Sequence, residues 1–327
     1  VMRISALAEY LAGRIDPALG ETVKQASLLC KADLITGMVG EFPSLQGVMG
    51  RIYARLSGER EEVCQAIYEH YLPTAAGGAL PVSHPGAILS VADKIDTLTG
   101  CFGVGLVPTG TADPYALRRQ TLGVIHIILD KGYALPLGGL IEKSLSLLAS
   151  KLERDPGQVK KEVLEFFRGR MQNLLIGRGV SPDAVEAACA AGFEDLLDLE
   201  RRAQALHDLK EEPDFEPLAV AFKRVVNISR SHAPGPVLPE RFEKPVEAHL
   251  FEAYRAIGAK AEEQIARRDY SAALRELTSL RKPVDEFFDG VMVMAEDVAV
   301  KENRLSLLAH IAGLFFKIGD FSKITTA

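Results

Sequence analysis

The 327-residue chain is 47% hydrophobic and 25% charged, which excludes a disordered polymer and allows two or three domains with proper cores. Its formal net charge of −6 excludes a protein that coats nucleic acid through bulk charge, so any RNA contact must come from local basic clusters. No apolar run reaches the length of a membrane span, and the start VMRISALAEYLAGRI carries no signal-peptide cleavage pattern. The sequence therefore predicts a cytoplasmic protein with no membrane partner, and a start that is a cut rather than a natural terminus. Cys30, Cys64, Cys101 and Cys189 are scattered and never paired as CxxC, which fits buried thiols in a reducing cytosol and argues against zinc and disulfides.

Residues 1 to about 72 read as helices. Leu7, Tyr10, Leu11 and Ile15 form one stripe, and Val23, Ala26, Ser27 and Cys30 lead into Leu34, Met38 and Phe42. A further segment carries Ile52, Leu56, Val63, Ile67 and Tyr68. Glu69-His70-Tyr71 closes this pattern, and Pro73 ends it because proline cannot continue the backbone ladder. Gly77, Gly78, Pro81, Pro85 and Gly86 predict a loop. Ile88, Val91, Ala92, Ile95 and Leu98 then recur at helical spacing, with Asp93 and Asp96 on the same helix. Pro108-Thr109-Gly110 breaks the chain, and Asp113-Pro114 predicts the next helix start.

Arg118 and Arg119 fall on the first turns of that helix, where the dipole disfavours cations. They invite either a carboxylate, from Asp93 or Asp96, or an anionic partner; the ion pair is the simpler expectation. Residues 151–212 read as a helical connector, ended once by Gly177 and Gly179 and restarted by Ser181-Pro182-Asp183. Glu212-Pro213-Asp214 marks a break before a helix carrying Lys223, Arg224, Asn227, Arg230 and His232. A Pro-rich segment, HAPGPVLPERFEKP, follows, and three strongly periodic stretches complete a helical bundle. Phe287-Phe288 and Phe315-Phe316 sit on apolar stripes and are expected in the core. No phosphate-binding Gly loop is present: Gly103-Val-Gly105 matches only a fragment of GxGxxG and lacks a strand–turn–helix setting.

The order of several motifs carries a resemblance. They are Lys31-Ala-Asp-Leu-Ile-Thr-Gly-Met-Val-Gly-Glu-Phe, Leu45-Gln46-Gly47-Val-Met-Gly50, Glu69-His70-Tyr71, Ala92-Asp93-Lys94-Ile-Asp96-Thr-Leu98, Pro108-Thr109-Gly110 and Asp113-Pro-Tyr-Ala-Leu-Arg-Arg119. With Phe222-Lys-Arg-Val-Val-Asn-Ile228, Phe287-Phe-Asp-Gly-Val-Met-Val-Met294 and Asn303-Arg-Leu-Ser-Leu-Leu308, they resemble the β subunit of bacterial, tetrameric glycyl-tRNA synthetase, in its C-terminal portion. The resemblance implies a role in attaching glycine to tRNA(Gly), together with an α subunit in an α2β2 tetramer. It also implies that ATP and magnesium are used by the holoenzyme, with no cofactor and no catalytic residue in this fragment. The first part further resembles the HD superfamily of metal phosphohydrolases, with vestigial positions at Asp33, His70 and Asp93. Ala32 stands where such enzymes have a His, and no His precedes His70, so too few ligands converge for a working metal site.

The expected fold is all-α: a degenerate HD-like domain at 1–150, a connector at 151–212 and a helical-bundle anticodon-binding domain at 213–327. The candidate RNA-binding residues are Lys223, Arg224, Asn227, Arg230, His232, Arg118 and Arg119. Taken without the resemblance, the charged helix reads as a solvated face. A metal-dependent phosphohydrolase and a purely structural assembly subunit are the competing readings.

Overall fold

The computed structural model describes residues 1–212 and 215–325. Among them the regular elements are α-helices and short 3-10 turns, with no strand, so the fold is all-α. No helix of the described residues is long and apolar enough to cross a membrane. The chain packs as two units. One comprises Val1–Met171 with Glu194–Leu197; the other comprises Gln172–Phe193 and the chain from Asp198 onward. The sequence-based division into domains at 150 and 213 is carried forward as a proposal below.

The first unit holds α1 (Met2–Ile15), α2 (Gly20–Leu29), α3 (Gly37–Glu41), α4 (Val48–Leu56), α5 (Glu61–Glu69), α6 (His84–Gly103), α7 (Leu117–Lys131), α8 (Leu137–Leu148) and the start of α9 (Pro156–Gly177). Its centre is α6, which packs against α1, α2, α5, α7 and α8. This helix is buried nearly all round, as a helix enclosed by others must be, with Ser90, Lys94, Asp96 and Thr99 among its buried residues. Ile88, Val91, Ala92, Ile95 and Leu98 are fully buried there, with Leu7 and Leu11 of α1 and Ile125 and Ile128 of α7. The Ser83 hydroxyl accepts from the Gly86 N–H, and Pro85 occupies the first turn, so α6 begins where the loop residues require.

The helix expected from Asp113-Pro114 begins later, at Leu117, because Ala116 takes a left-handed conformation with φ 53°. Asp113 still caps it from outside, accepting from the N–H groups of Leu117 at 2.8 Å and Arg118 at 2.9 Å. The sequence located the right capping carboxylate and the wrong first residue.

The second unit holds the end of α9 together with α10 (Pro182–Ala191), α11 (Leu196–Lys210, less its first two residues), α12 (Phe215–Ser229), α13 (Pro245–Ala266), α14 (Tyr270–Thr278), α15 (Arg281–Gly290) and α16 (Val298–Phe316). Pro213 and Asp214 of the expected break lie outside the described residues. The core gathers Phe222 of α12 with Phe315 of α16 at 3.7 Å between ring centroids, and Phe321 stands edge-on to Phe315 at 5.1 Å. Phe287, Phe288 and Phe315 are buried as expected, whereas Phe316 is 40% exposed. An apolar pair on consecutive positions turns about 100° between residues, so both members face one core only when the helix is enclosed.

Candidate functional site

In the first unit, the positions singled out by sequence are separately engaged. His70 follows the end of α5 and is fully buried. Its Nδ1 lies 2.6 Å from the Ile67 carbonyl, which accepts a hydrogen bond from it, while Nε2 is buried without a partner among the described residues. Burial and the neighbouring Lys31 push the imidazole down to about 3, so it is neutral. The loop after α5 is anchored by the adjacent Glu69. That buried carboxylate accepts from the N–H groups of Val82 and Ser83, both at 3.0 Å, and from the Ser83 hydroxyl. The sequence offered no signal for this role, since Glu69 looks like an ordinary helix-terminal charge.

Asp33 is buried and its Oδ2 accepts from the N–H groups of Gly47 at 2.6 Å and Gly50 at 3.1 Å. Its Oδ1 has no partner among the described residues. Glycine is required at 47, where φ is +78° and a Cβ would lie 2.6 Å from the Tyr71 ring. At 50 a Cβ would lie 2.8 Å from Ile67 and 3.1 Å from the Asp33 carboxylate. Asp93 pairs with Lys31 at 2.9 Å, and the same ammonium lies 4.2 Å above the Tyr71 ring centroid.

Lys94 is a second group whose role sequence reasoning missed. Its ammonium donates to the carbonyls of His70 at 3.2 Å and Leu72 at 3.0 Å, and to the Ser90 hydroxyl at 2.7 Å. Desolvation lowers it to about 8, and these three acceptors keep its protons satisfied. Among the described residues no group of three or more His, Cys, Asp or Glu could hold a metal ion.

The expected pairing of Arg118 or Arg119 with Asp93 or Asp96 is not formed. Asp96 is gripped at two points by Arg3, at 2.9 and 3.0 Å, and Asp93 by Lys31. Arg118 instead donates to the Gly110 carbonyl at 2.7 Å. Arg119 is exposed and borders an open cleft of about 490 Å³ with Lys31, Tyr71, Asp93 and Lys94. Two carboxylates that looked available from the helix pattern were claimed by cations far away in the chain.

In the second unit, α12 buries Phe222, Val225 and Val226 and turns Arg224 and Asn227 outward, with Lys223 half-buried. Arg224 stacks over the Phe288 ring at 4.0 Å. Arg230 lies one residue past the helix, exposed, with one nitrogen 3.4 Å from the Ser322 hydroxyl. Both nitrogens of His232 are occupied, Nε2 by the Ser306 hydroxyl at 3.0 Å and Nδ1 by Glu302 at 3.3 Å. The Pro-rich segment beyond is irregular but tied down. The Asn303 side chain accepts from the Leu238 N–H at 2.7 Å and donates to the Leu238 carbonyl at 3.0 Å, while His310 contacts the Gly235 carbonyl at 2.9 Å. A second cationic cleft, of about 560 Å³, is bordered by Arg178, Arg201 and Arg268, with Glu200, Asp269 and Tyr270.

The sequence profile of the family described as glycyl-tRNA synthetase beta subunit matches residues 1–190 of this chain. The chain belongs to that family. A glycine–tRNA ligase beta subunit from Geobacter metallireducens is 56% identical over 322 residues, 98% of this chain and 47% of the relative. Those from Trichlorobacter lovleyi and Syntrophus aciditrophicus are 54% and 50% identical, over 98% and 100% of this chain and again 47% of their own length. The chain thus spans about half the length of the curated relatives it matches, their C-terminal portion. The profile of the beta-subunit family stops before α12, whereas the similarity to these beta subunits runs through it.

Proposed function

We propose that this chain is the tRNA-binding, non-catalytic part of a glycine–tRNA ligase beta subunit. In that role it supports ATP-dependent attachment of glycine to tRNA(Gly) by holding the tRNA and assembling with an α subunit in an α2β2 tetramer. The observation that carries the reading is the 56% identity to a named beta subunit along 98% of the chain. In the proposal, residues 1–150 form a degenerate HD-like domain, 151–212 a connector and 213–327 the anticodon-binding bundle. ATP and magnesium act at the holoenzyme's catalytic centre, outside this fragment, and the setting is cytoplasmic.

The chemistry of α12 supports an RNA contact. Lys223, Arg224 and Arg230 supply phosphate-seeking charge in a chain of net charge −6, and exposed Asn227 supplies both a donor and an acceptor for a base edge. Arg118 and Arg119 are assigned to the phosphate backbone, now that no carboxylate of α6 holds them. The His232 ring, with both nitrogens occupied, is assigned to shaping the segment beside the RNA.

The test is binding of the cognate tRNA(Gly) transcript and of an anticodon-altered transcript across a salt series. Binding that is weaker for the altered anticodon and falls steeply with salt is the expected result. Equal, salt-insensitive binding of both would sink the reading. ATP–pyrophosphate exchange by the purified chain, free of α subunit, would overturn its non-catalytic assignment.

A further inference from the structure

The cleft bordered by Arg119 holds more positive charge than its carboxylate answers. Its volume of about 490 Å³ falls in the usual range of small-molecule sites, roughly 300–1,000 Å³. Lys31 enters it from the turn after α2, Thr74 from the turn after α5, Asp93 and Lys94 from α6, and Arg119 from α7. Lys31 and Asp93 neutralise each other at 2.9 Å. Lys94 has no carboxylate of its own, because its three acceptors are the carbonyls of His70 and Leu72 and the Ser90 hydroxyl, all neutral. Asp93 and Lys31 also act on it with opposite sign. An ammonium only 6% exposed, solvated by dipoles but lacking a counter-charge, is a costly arrangement.

Arg119 adds a second unanswered cation. It is exposed on the first turn of α7, where the helix dipole disfavours positive charge. Among the described residues no hydrogen bond or ion pair holds it. The carboxylates near it in the chain are spent elsewhere: Asp93 on Lys31, Asp96 on Arg3, and Asp113 on the N–H groups of Leu117 and Arg118. Cations brought into one recess from three separate elements focus a positive potential there. Gln46 and Thr74, both exposed at its border, leave their side chains available for further hydrogen bonds.

We infer that this cleft is a binding site for a phosphate group, held by the Arg119 guanidinium and the remaining protons of the Lys31 ammonium, with Lys94 as a buried positive charge that acts without touching it. A phosphate monoester suits the recess better than a carboxylate does. It brings up to roughly two negative charges and three acceptor oxygens, enough for a guanidinium and an ammonium together. The same chemistry comes from a phosphate of bound tRNA or from a free phosphorylated small molecule. The site goes beyond the proposed function, which gives Arg119 only a contact with the RNA backbone, and inorganic phosphate alone is enough to probe it.

The experiment uses the complete beta subunit, without α, at pH 7, where Lys94 keeps its proton. Inorganic phosphate and pyrophosphate are titrated by isothermal calorimetry at an ionic strength held constant with chloride, and the melting curve of each variant is recorded. Wild type should bind a single phosphate per chain. Arg119→Ala and Lys94→Met should each weaken that binding at least about tenfold. Asp93→Asn frees Lys31 from its ion pair and should tighten binding several-fold, a change of sign that a merely structural role does not produce. Lys24→Ala, an exposed charge removed from α2, should bind as wild type does. If Lys94→Met fails to fold, Arg119→Ala and Asp93→Asn decide. No binding of either probe at millimolar concentration, or equal binding by wild type and Arg119→Ala, overturns the site and leaves the proposed function standing. Phosphate that displaces the tRNA(Gly) transcript from wild type but not from Arg119→Ala supports the site and assigns its phosphate to the RNA. Phosphate binding that leaves tRNA affinity unchanged supports the site and assigns it to a free phosphorylated ligand. Phosphate binding in a beta subunit that never binds tRNA supports the site while sinking the proposed function.

Discussion

Arg304 and Glu247 form a two-point buried ion pair, Nε to Oε1 at 2.8 Å and Nη2 to Oε2 at 3.2 Å, in which neither side chain is more than 5% exposed. Each charge is also satisfied elsewhere. Arg304 donates to the Met292 carbonyl and to Glu243, and Glu247 accepts from the N–H groups of Glu243 and Lys244 at the start of α13. The pair therefore ties α16 to the entry of α13, and removing one partner strands a charge. Glu247→Ala should cost about 3 kcal/mol in thermal or urea unfolding, and the double change Glu247→Leu with Arg304→Met should recover most of that loss. A single variant as stable as wild type would refute the assignment.

Lys94 carries a pH signature. Its folded-state value is about 8 against an ordinary 10.5, so below pH 8 both folded and unfolded chains are charged and the folded chain bears the full cost of burying the ammonium. Between pH 8 and 10.5 the folded state sheds its proton first, and stability rises. Compared with Lys94→Met, the wild type should gain on the order of 1–3 kcal/mol across that window. The comparison removes the contribution of Tyr71 and Cys30, whose raised values act in the opposite direction. A flat difference between the two proteins from pH 7.5 to 10.5 would contradict the geometry.

His70 works at the other end of the scale. Its folded value of about 3 lies below the ordinary 6.5, so acidification through that interval protonates only the unfolded chain. The wild type should lose stability relative to His70→Phe as pH falls from 6.5 towards 3. Parallel unfolding curves for both proteins at pH 7 and pH 4.5 would show that the imidazole is not held neutral.

The two arginines of α7 should be dispensable for folding. Arg118→Ala and Arg119→Ala are expected to change stability by no more than about 0.5 kcal/mol, the usual range for exposed positions. Arg3→Ala, which strands the nearly buried Asp96, should cost about 1–2 kcal/mol. Differential scanning calorimetry of the three variants separates these outcomes, and equal losses would restore the pairing that α7 was expected to make.

For the RNA contact proposed at α12 and the residue that follows it, Lys223→Ala and Arg230→Ala should flatten the salt dependence of tRNA binding by about one unit of slope per lost phosphate contact. Asn227→Ala should erode preference for the glycine anticodon more than overall affinity. Wild-type behaviour in all three variants, with both transcripts, would return α12 to the status of a solvated face.

The helices were legible because local forces make them. The stripe of α1, the proline that stops α5 and the Asp113 carboxylate all act within a few residues of themselves. The long-range pairs were not legible. Arg3 and Asp96 are 93 positions apart, and Glu247 and Arg304 are 57 apart, so no spacing rule connects them. Lys94 was hidden for a related reason: its partners are mostly backbone carbonyls, which every residue has. Phe316 escaped because α16 is apolar on so many faces that periodicity gives no direction. Near α12, the occupancy of His232 depended on α16, out of reach of any local pattern.

The amine of Lys94 enters its nest of acceptors as part of the polypeptide, so the supply of that donor is fixed when the chain is made. It cannot be stripped by a chelator, diluted away or exchanged for a competing ion. The turn that joins His70 to Leu72 is consequently built from synthesis onward with its hydrogen-bond donor already covalently attached.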